Sequence, residues 1–253
     1  MRSVYFKELS IYFSSPIFYV IASIFICISG IFFYNAMVYV SLLATKIAQY
    51  QMETGVDMNE ILLRPVFSDM SMLIVFIVPI ISMRLYAEES SLGTIELLFT
   101  YPLSDLSVLV AKYLAGLTVL FCILAITSVL MALMAVIAVP DWGVVFSSYI
   151  GLVLMGGAIL SLGVFASSLT KNQIIAAALT LGLVLGFWVI GWFAGAVPNT
   201  AASEFLQEIS LISHLSRFLK GMVTIKDIVF YVCFSVFFLA LTLRILDSHR
   251  WRG

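Results

Sequence analysis

The sequence predicts an all-α integral membrane protein with six transmembrane helices. Of its 253 residues, 62% are hydrophobic and only 11% are charged, and the mean hydropathy is +1.13. A soluble domain has roughly a quarter charged residues, because its surface must face water. Six apolar segments, each long enough to cross a hydrocarbon layer of about 30 Å, follow one another along the chain.

The six segments predict one transmembrane domain over residues 1–253. We expect the spans near residues 17–39, 68–86, 106–138, 144–168, 173–197 and 227–246. The second and sixth have the shortest uncharged centres, because Asp69 and Arg84 bracket one and Asp227 and Arg244 bracket the other. The first apolar run is longer than the core of a signal peptide, about 7–15 residues, so we expect it to be a retained span.

The distribution of lysine and arginine predicts the orientation of the six spans. One set of loops and ends holds eight of these residues, Arg2, Lys7, Arg84, Lys112, Lys171, Arg244, Arg250 and Arg252. The other set holds five, Lys46, Arg64, Arg217, Lys220 and Lys226. Since basic residues are retained on the cytoplasmic side, this split favours both termini in the cytoplasm.

Two further segments are amphipathic and too short to span. In residues 1–15 one helical face carries Tyr5, Leu9, Tyr12 and Phe13, and the opposite face carries Ser3, Lys7, Ser10 and Ser14. This pattern predicts a helix lying in the membrane interface. Residues 199–222 have apolar side chains at helical spacing and predict one or two short external helices before the last span.

The fifth predicted span has a stripe of small residues. The stripe consists of Ala178, Gly182, Gly186, Gly191 and Gly195. Small residues allow the backbones of membrane helices to approach closely, so the stripe predicts a helix-packing face. The sequence leaves open whether that face meets the same chain or a second copy.

The sequence contains none of the common catalytic or metal-binding motifs. It has no phosphate-binding Gly-x-x-x-x-Gly-Lys-Ser/Thr loop, no His-Glu-x-x-His helix and no Gly-x-Ser-x-Gly elbow. We therefore expect no enzyme, no metal site and no cofactor in this chain, and nothing predicts a nucleic-acid partner. The span centres lack charged residues, which argues against a proton-coupled carrier but leaves a sodium-coupled one open.

The cytoplasmic connection after the second span is the strongest candidate for a functional contact. It reads from Met83 to Leu98, and Leu92 and Ile95 share one helical face with Leu98 or Phe99. Glu88, Glu89 and Glu96 could pair with basic residues of a partner. Periodicity alone allows either a docking helix or an ordinary loop helix on the lipid headgroups.

At these residues the sequence resembles the ABC-2 type permeases, specifically their gliding-motility (GldF-like) branch. The family pattern Met-Arg-Leu-x-Ala-Glu-Glu-x-x-x-Gly-Thr-x-Glu-Leu-Leu occurs here as Met83–Leu98, followed by Pro102. Other similar stretches are residues 12–16, 141–142, 167–173, 210–214 with Gly221, and 241–244. Ser90 and Ser91 depart from the family, in which a charged pair often follows the second glutamate.

The resemblance implies a fold like that of the type V ABC exporters. It implies an interfacial elbow helix over 1–15, a coupling helix over 87–100 and external helices over 199–222. It also implies a bacterial cytoplasmic (inner) membrane location and two membrane halves, the other being a second copy or a related protein with an external domain. Two cytoplasmic ATPase subunits would bind ATP and Mg²⁺, and their contact would include Glu88, Glu89, Gly93, Thr94 and Glu96.

Two other classes of function stay open at this point. An ion-coupled carrier or channel would transport without an ATPase. A mechanical or assembly component would use ATP-driven motion to act on an external partner without passing a solute. Asp69 and Asp227 could attract a cationic substrate, although residues at such positions are more often helix caps. For His214 we expect a structural, hydrogen-bonded role.

Overall fold

A computed structural model describes residues 1–50, 58–93, 104–137, 140–196 and 201–252, and the regular secondary structure in these ranges is entirely helical. The helices in chain order are α1 (Arg2–Ser14), α2 (Pro16–Tyr50), α3 (Met58–Ser82), α4 (Arg84–Ser91), α5 (Asp105–Ile137), α6 (Trp142–Ser168), α7 (Gln173–Ala196), α8 (Ala201–Ile209), α9 (Leu211–Phe218) and α10 (Ile225–Arg252). Six of them, α2, α3, α5, α6, α7 and α10, contain stretches long and apolar enough to cross a membrane. The prediction of an all-α protein with six such helices is confirmed.

The helices differ in length from the predicted spans. Helix α2 continues to Tyr50, well beyond the predicted end at 39. Helix α3 begins at Met58 and ends at Ser82, and the residues after a turn at Met83 form the separate helix α4. Hydropathy locates the apolar centre of a span, whereas backbone hydrogen bonding continues past that centre, so a helix can extend beyond the bilayer or tilt within it.

Helix α6 is the central helix of the bundle. It packs against α3, α4, α5, α7, α9 and α10, and 78% of its most apolar stretch is buried. Its buried side includes Gly151, Gly156, Gly157, Gly163 and several serines. Small residues without bulky side chains allow neighbouring helices to approach the α6 backbone closely.

The closest of these approaches is between Gly163 and the end of α3. A Cβ atom added at Gly163 would lie 1.9 Å from Oγ and 2.4 Å from Cβ of Ser82. The Ser82 Cβ is fixed to the helix backbone, so it cannot move aside as the end of a long side chain could. The junction between α3 and α4 therefore requires glycine at position 163.

We expect Gly163→Ala to lower the free energy of unfolding by about 1–3 kcal/mol, because the added methyl group forces α3 and α6 apart. Gly182→Ala on α7 is the matched control, since nothing lies within 4 Å of a Cβ added there. Thermal unfolding of the purified variants in detergent measures both changes. Equal stability of Gly163→Ala and the wild type would contradict the close packing of α3 on α6.

Helix α1 forms as predicted but buries a different face. The buried residues are Val4, Glu8 and Tyr12, which follow one another at intervals of four. Phe13, assigned to the apolar face from the sequence, is exposed. The reason is tertiary, because α1 packs against α5 and uses its glutamate in an ion pair there.

The small-residue stripe of α7 faces outward over most of its length. Ala178, Gly182 and Gly186 are exposed, and no described atom lies within 4 Å of a Cβ added at either glycine. Gly191 instead packs against Ser210, and the surroundings of Gly195 lie outside the described residues. At Gly182 and Gly186, therefore, the stripe packs against no described helix of its own chain.

Candidate functional site

The candidate site is α4, the short helix that follows the second span. Its first turn is held by Ser167, near the end of α6. The Ser167 hydroxyl accepts hydrogen bonds from the backbone N–H groups of Tyr86 (3.1 Å) and Ala87 (2.9 Å). It also donates one to the Met83 carbonyl (2.8 Å). A serine from another helix thus caps α4 and fixes it to the centre of the bundle.

A buried lysine joins α4 to two further helices. Lys112 on α5 is 1% exposed, and its ammonium lies 2.8 Å from Glu8 Oε1 on α1 and 3.0 Å from Glu89 Oε2 on α4. It also donates to the Leu85 carbonyl (2.7 Å) and lies 5.2 Å from the centre of the Tyr86 ring. One cation between two carboxylates therefore connects α1, α4 and α5.

Tyr12 of α1 contacts the junction between α3 and α4. The Tyr12 hydroxyl donates to the Ile81 carbonyl (2.7 Å), and the Arg84 guanidinium lies 5.1 Å from the centre of the tyrosine ring. Burial, assisted by the negative charge of Glu8, raises the pKa of Tyr12 far above its ordinary value. The phenol therefore stays a neutral hydrogen-bond donor at any physiological pH.

The free end of α4 is exposed. The helix ends at Ser91, where the Leu92 N–H donates to the Glu88 carbonyl (3.0 Å), and Gly93 follows at φ +68°. A residue in this left-handed conformation stops an α-helix. The continuous coupling helix expected over 87–100 is therefore interrupted at Gly93, and Thr94 and Glu96 lie outside the described residues.

The two adjacent glutamates of the predicted ATPase contact have different surroundings. The Glu88 side chain is 36% exposed and forms a bond of 3.2 Å to Arg84, one turn earlier in α4. Glu89 is only 14% exposed and lies between Lys112 and Lys7, whose ammonium donates to its Oε1 at 3.2 Å. Glu89 thus has a structural role inside the chain that its sequence neighbourhood did not indicate.

A second polar cluster lies at the other end of α6, among the short helices. Asp227 is fully buried. Its carboxylate accepts hydrogen bonds from Arg217 Nε (3.0 Å to Oδ1 and 2.8 Å to Oδ2), from Arg217 Nη2 and from His214 Nδ1 (2.6 Å). His214 Nε2 lies 3.0 Å from the Glu208 carbonyl, and its ring stacks on Phe230 at 3.9 Å. The cluster holds α9 against α10.

The hydrogen bonds of His214 and Asp227 indicate a structural role for both residues. The hydrogen bonds that Arg217 donates to the Asp227 carboxylate raise the pKa of Arg217. In the exposed pair beside it, the hydrogen bond from Lys226 (2.5 Å) lowers the pKa of Glu208. Among the described residues, no group of three or more histidine, cysteine, aspartate or glutamate side chains could hold a metal ion.

Sequence reasoning missed the roles of Glu8, Lys112 and Ser167, although the first two residues carry a signal. Lys112 stands nearly two turns inside the predicted span 106–138, although the charge distribution groups it with the cytoplasmic residues. A lysine at that depth signals a partner, because an unpaired charge is costly away from water. Glu8 lies four residues after Val4 and four residues before Tyr12, so it is an acidic residue on an otherwise apolar helix face. That position could have identified Glu8 as the partner of Lys112.

Comparison with known proteins agrees with this architecture. The family model described as ABC-2 family transporter protein matches residues 2–249. No curated protein matches the chain significantly. Because the family match covers almost the whole sequence, including α4 and every membrane-length helix, the chain belongs to the ABC-2 family and is a membrane permease subunit of an ABC transporter.

Proposed function

We infer that this chain transmits the motion of a separate ABC ATPase to its membrane helices through α4. The supporting observation is the way in which α4 is held. It is tied to α6 by Ser167 and to α1 and α5 by Lys112, while Glu88, Ser91, Leu92 and Gly93 remain at or near the surface.

These bonds make α4 suitable for transmitting force. The hydrogen bonds from Tyr86 and Ala87 to Ser167 resist displacement of α4 from α6, and the bonds of Lys112 resist its displacement from α1 and α5. A push on the exposed end therefore moves a packed unit rather than a loop. Packed elements shift as bodies, whereas loops absorb motion.

The ATPase would dock on the exposed end of α4. Glu88 offers a carboxylate to basic residues of the partner, and Leu92 offers an apolar side chain that is 68% exposed. Gly93 would take part in the proposed contact, and Thr94 and Glu96 would complete it. ATP and Mg²⁺ would be bound by two copies of the ATPase and not by this chain.

The outward-facing stripe of α7 would provide part of the contact with a second membrane subunit. At Ala178, Gly182 and Gly186 another helix could approach the backbone closely. That subunit would be a second copy of this chain or a related membrane protein with an external domain. The pattern over Met83–Leu98 supports the gliding-motility branch and, with it, a bacterial inner membrane location. The lysine and arginine distribution supports cytoplasmic termini, with α4 on the ATPase side.

The interaction with an ATPase can be tested by affinity purification from the native membrane. We expect a Walker-type ATPase to co-purify with the wild type, and Leu92→Asp to reduce the retained ATPase about fivefold to tenfold, a loss equivalent to about 1–1.4 kcal/mol of binding. Val223→Asp is the matched control, because Val223 is an exposed aliphatic residue near the opposite end of α6. The double change of Glu88 and Glu89 to lysine is unsuitable, since it also breaks the buried Lys112–Glu89 ion pair.

The outcomes separate two parts of the proposal. Co-purification of an ATPase that Leu92→Asp leaves unchanged would reject α4 as the docking element. A chain that purifies alone from native membranes, without ATPase activity, would reject the coupling role altogether.

A further inference from the structure

A cavity of about 340 Å³ lies between α1, α2, α3, α4 and α5, at the end of the bundle where α7 begins. Its inner wall is apolar and includes Phe18, Ile21, Ile81, Val119 and Ile123. Its other end is polar and contains Arg84 and Glu88 of α4. The cavity thus has an apolar part and a charged part, which match the two parts of an amphiphilic molecule.

The position of the cavity corresponds to a membrane boundary. It is lined by Ile17 and Gln173, which stand at the start of the membrane-length helices α2 and α7. Ile21 lies one turn deeper, about 6 Å from Ile17 at 1.5 Å per helical residue. The polar end is therefore at the headgroup level, and the apolar wall extends toward the hydrocarbon.

The mouth of the cavity includes apolar residues of the outer surface. Ile17 is 55% exposed and Ile80 is 37% exposed, and both line the cavity. They continue the apolar perimeter formed by the exposed side chains of α2. An occupant can therefore enter from the bilayer without leaving the hydrocarbon phase.

The charged end presents one cation and one anion side by side. Arg84 Nε forms an ion pair with Glu88 Oε2 at 3.2 Å, and the guanidinium also faces the Tyr12 ring. Among the described residues, neither the two Nη groups of Arg84 nor Glu88 Oε1 has a hydrogen-bond partner. Two adjacent groups of opposite charge complement a headgroup that itself has both signs.

We propose that this cavity binds one zwitterionic phospholipid whose head has a primary ammonium group, as in phosphatidylethanolamine. The phosphodiester receives hydrogen bonds from the Nη groups of Arg84, and the ammonium donates to Glu88. The first methylenes of one acyl chain lie against Phe18 and Ile21. The proposal requires only that the chain is in a membrane, so it can hold without the ATPase coupling described above. The two proposals share Glu88, whose carboxylate would face either the lipid ammonium or a basic residue of the ATPase.

The head chemistry predicts a selectivity among lipids. The quaternary ammonium of phosphatidylcholine has no N–H donor for Glu88. Phosphatidylglycerol has no cation, so its negative charge faces the carboxylate without compensation. Phosphatidylethanolamine alone among these three satisfies both side chains.

Native mass spectrometry of the full chain tests the proposal, after incubation with an equimolar mixture of these three lipids. We expect one retained lipid per chain, with phosphatidylethanolamine favoured about fivefold or more, the discrimination expected from one charge-assisted hydrogen bond. Glu88→Gln should remove the preference over phosphatidylcholine, and Arg84→Gln should lower retention of all three lipids. Lys171→Gln, an exposed cation beside the start of α7, should change nothing.

A second pair of variants tests the cavity without changing charge. Ile17→Trp narrows the mouth and should lower lipid retention about fivefold. Val20→Trp is its matched control, because Val20 is equally exposed on α2 but does not line the cavity. Equal retention of the three lipids by the wild type, or equal retention by Ile17→Trp and Val20→Trp, would overturn the proposal in favour of nonspecific annular lipid.

Discussion

Lys112→Met is expected to lower the free energy of unfolding by about 3–5 kcal/mol, the loss typical of breaking a buried ion pair from one side. The change leaves the carboxylate of Glu8 buried without its cation, and it removes the Lys112 ion pair from Glu89, which keeps its ion pair with Lys7. It also removes the hydrogen bond to the Leu85 carbonyl, which has no access to water. The cost therefore comes mainly from groups left without partners rather than from the lysine itself.

Unfolding of the purified variants, by heat or by denaturant, provides the measurement. Lys171→Met is the matched control and should stay within about 0.5 kcal/mol of the wild type, because Lys171 is exposed. The double variant Lys112→Met, Glu8→Met should recover part of the loss, since replacing both members of a buried pair by apolar residues is far less costly. A single variant as stable as the control would show that Lys112 does not bind α1, α4 and α5 together.

The same experiment bears on function. A variant that folds but has lost the ion pairs should retain the exposed end of α4, including Leu92, and so still bind the proposed ATPase. We expect its ATP-dependent activity to fall more than its ATPase binding, because α4 could then move without moving α1 and α5. Parallel losses of binding and activity would instead indicate that Lys112 only maintains the docking surface.

The six spans were predictable because hydropathy and length are local properties of the sequence. The short α4 was only partly predictable, because its end depends on the backbone conformation of Gly93. Helical periodicity places Leu92, Ile95 and Leu98 on one face only if the helix continues, and the left-handed Gly93 interrupts it. Glycine allows this conformation without requiring it, so the sequence alone could not decide the matter.

The roles of Glu88 and Glu89 depended on residues distant in the sequence. Adjacent positions on a helix point about 100° apart, so at most one of them could face a given partner. Which one faces inward is decided by Lys112 of α5, and its position depends on the packing of α1, α5 and α6. Ser167 likewise caps α4 only in the folded bundle.

Small-residue patterns show the same limit. The stripe on α7 predicts a surface that another helix can approach, yet at Gly182 and Gly186 no described helix of the chain does so. Helix α6, by contrast, buries small residues such as Gly163 against other helices of the chain. Such a pattern shows that close approach is possible, whereas the partner is determined by the arrangement of all the helices.

Arg217→Met is expected to destabilise the α8–α10 end of the bundle by about 2–4 kcal/mol, because it leaves a buried carboxylate without its main partner. Asp227 is 0% exposed, whereas the Arg217 side chain is 35% exposed. Without the guanidinium, Asp227 retains only His214 and cannot reach water. In Asp227→Asn, by contrast, Arg217 can turn toward solvent, and the uncharged amide is less costly to bury.

This asymmetry predicts an order of stability that can be measured. Arg217→Met should be less stable than Asp227→Asn, and hydrogen exchange in α9 and at the start of α10 should increase most in Arg217→Met. Lys226→Met is the matched control and should cost at most about 1 kcal/mol, since both members of the pair that it breaks are well exposed. If Asp227→Asn were the less stable variant, removing the Asp227 charge would cost more than leaving that charge unpaired. Arg217 would then depend on the carboxylate for its own position.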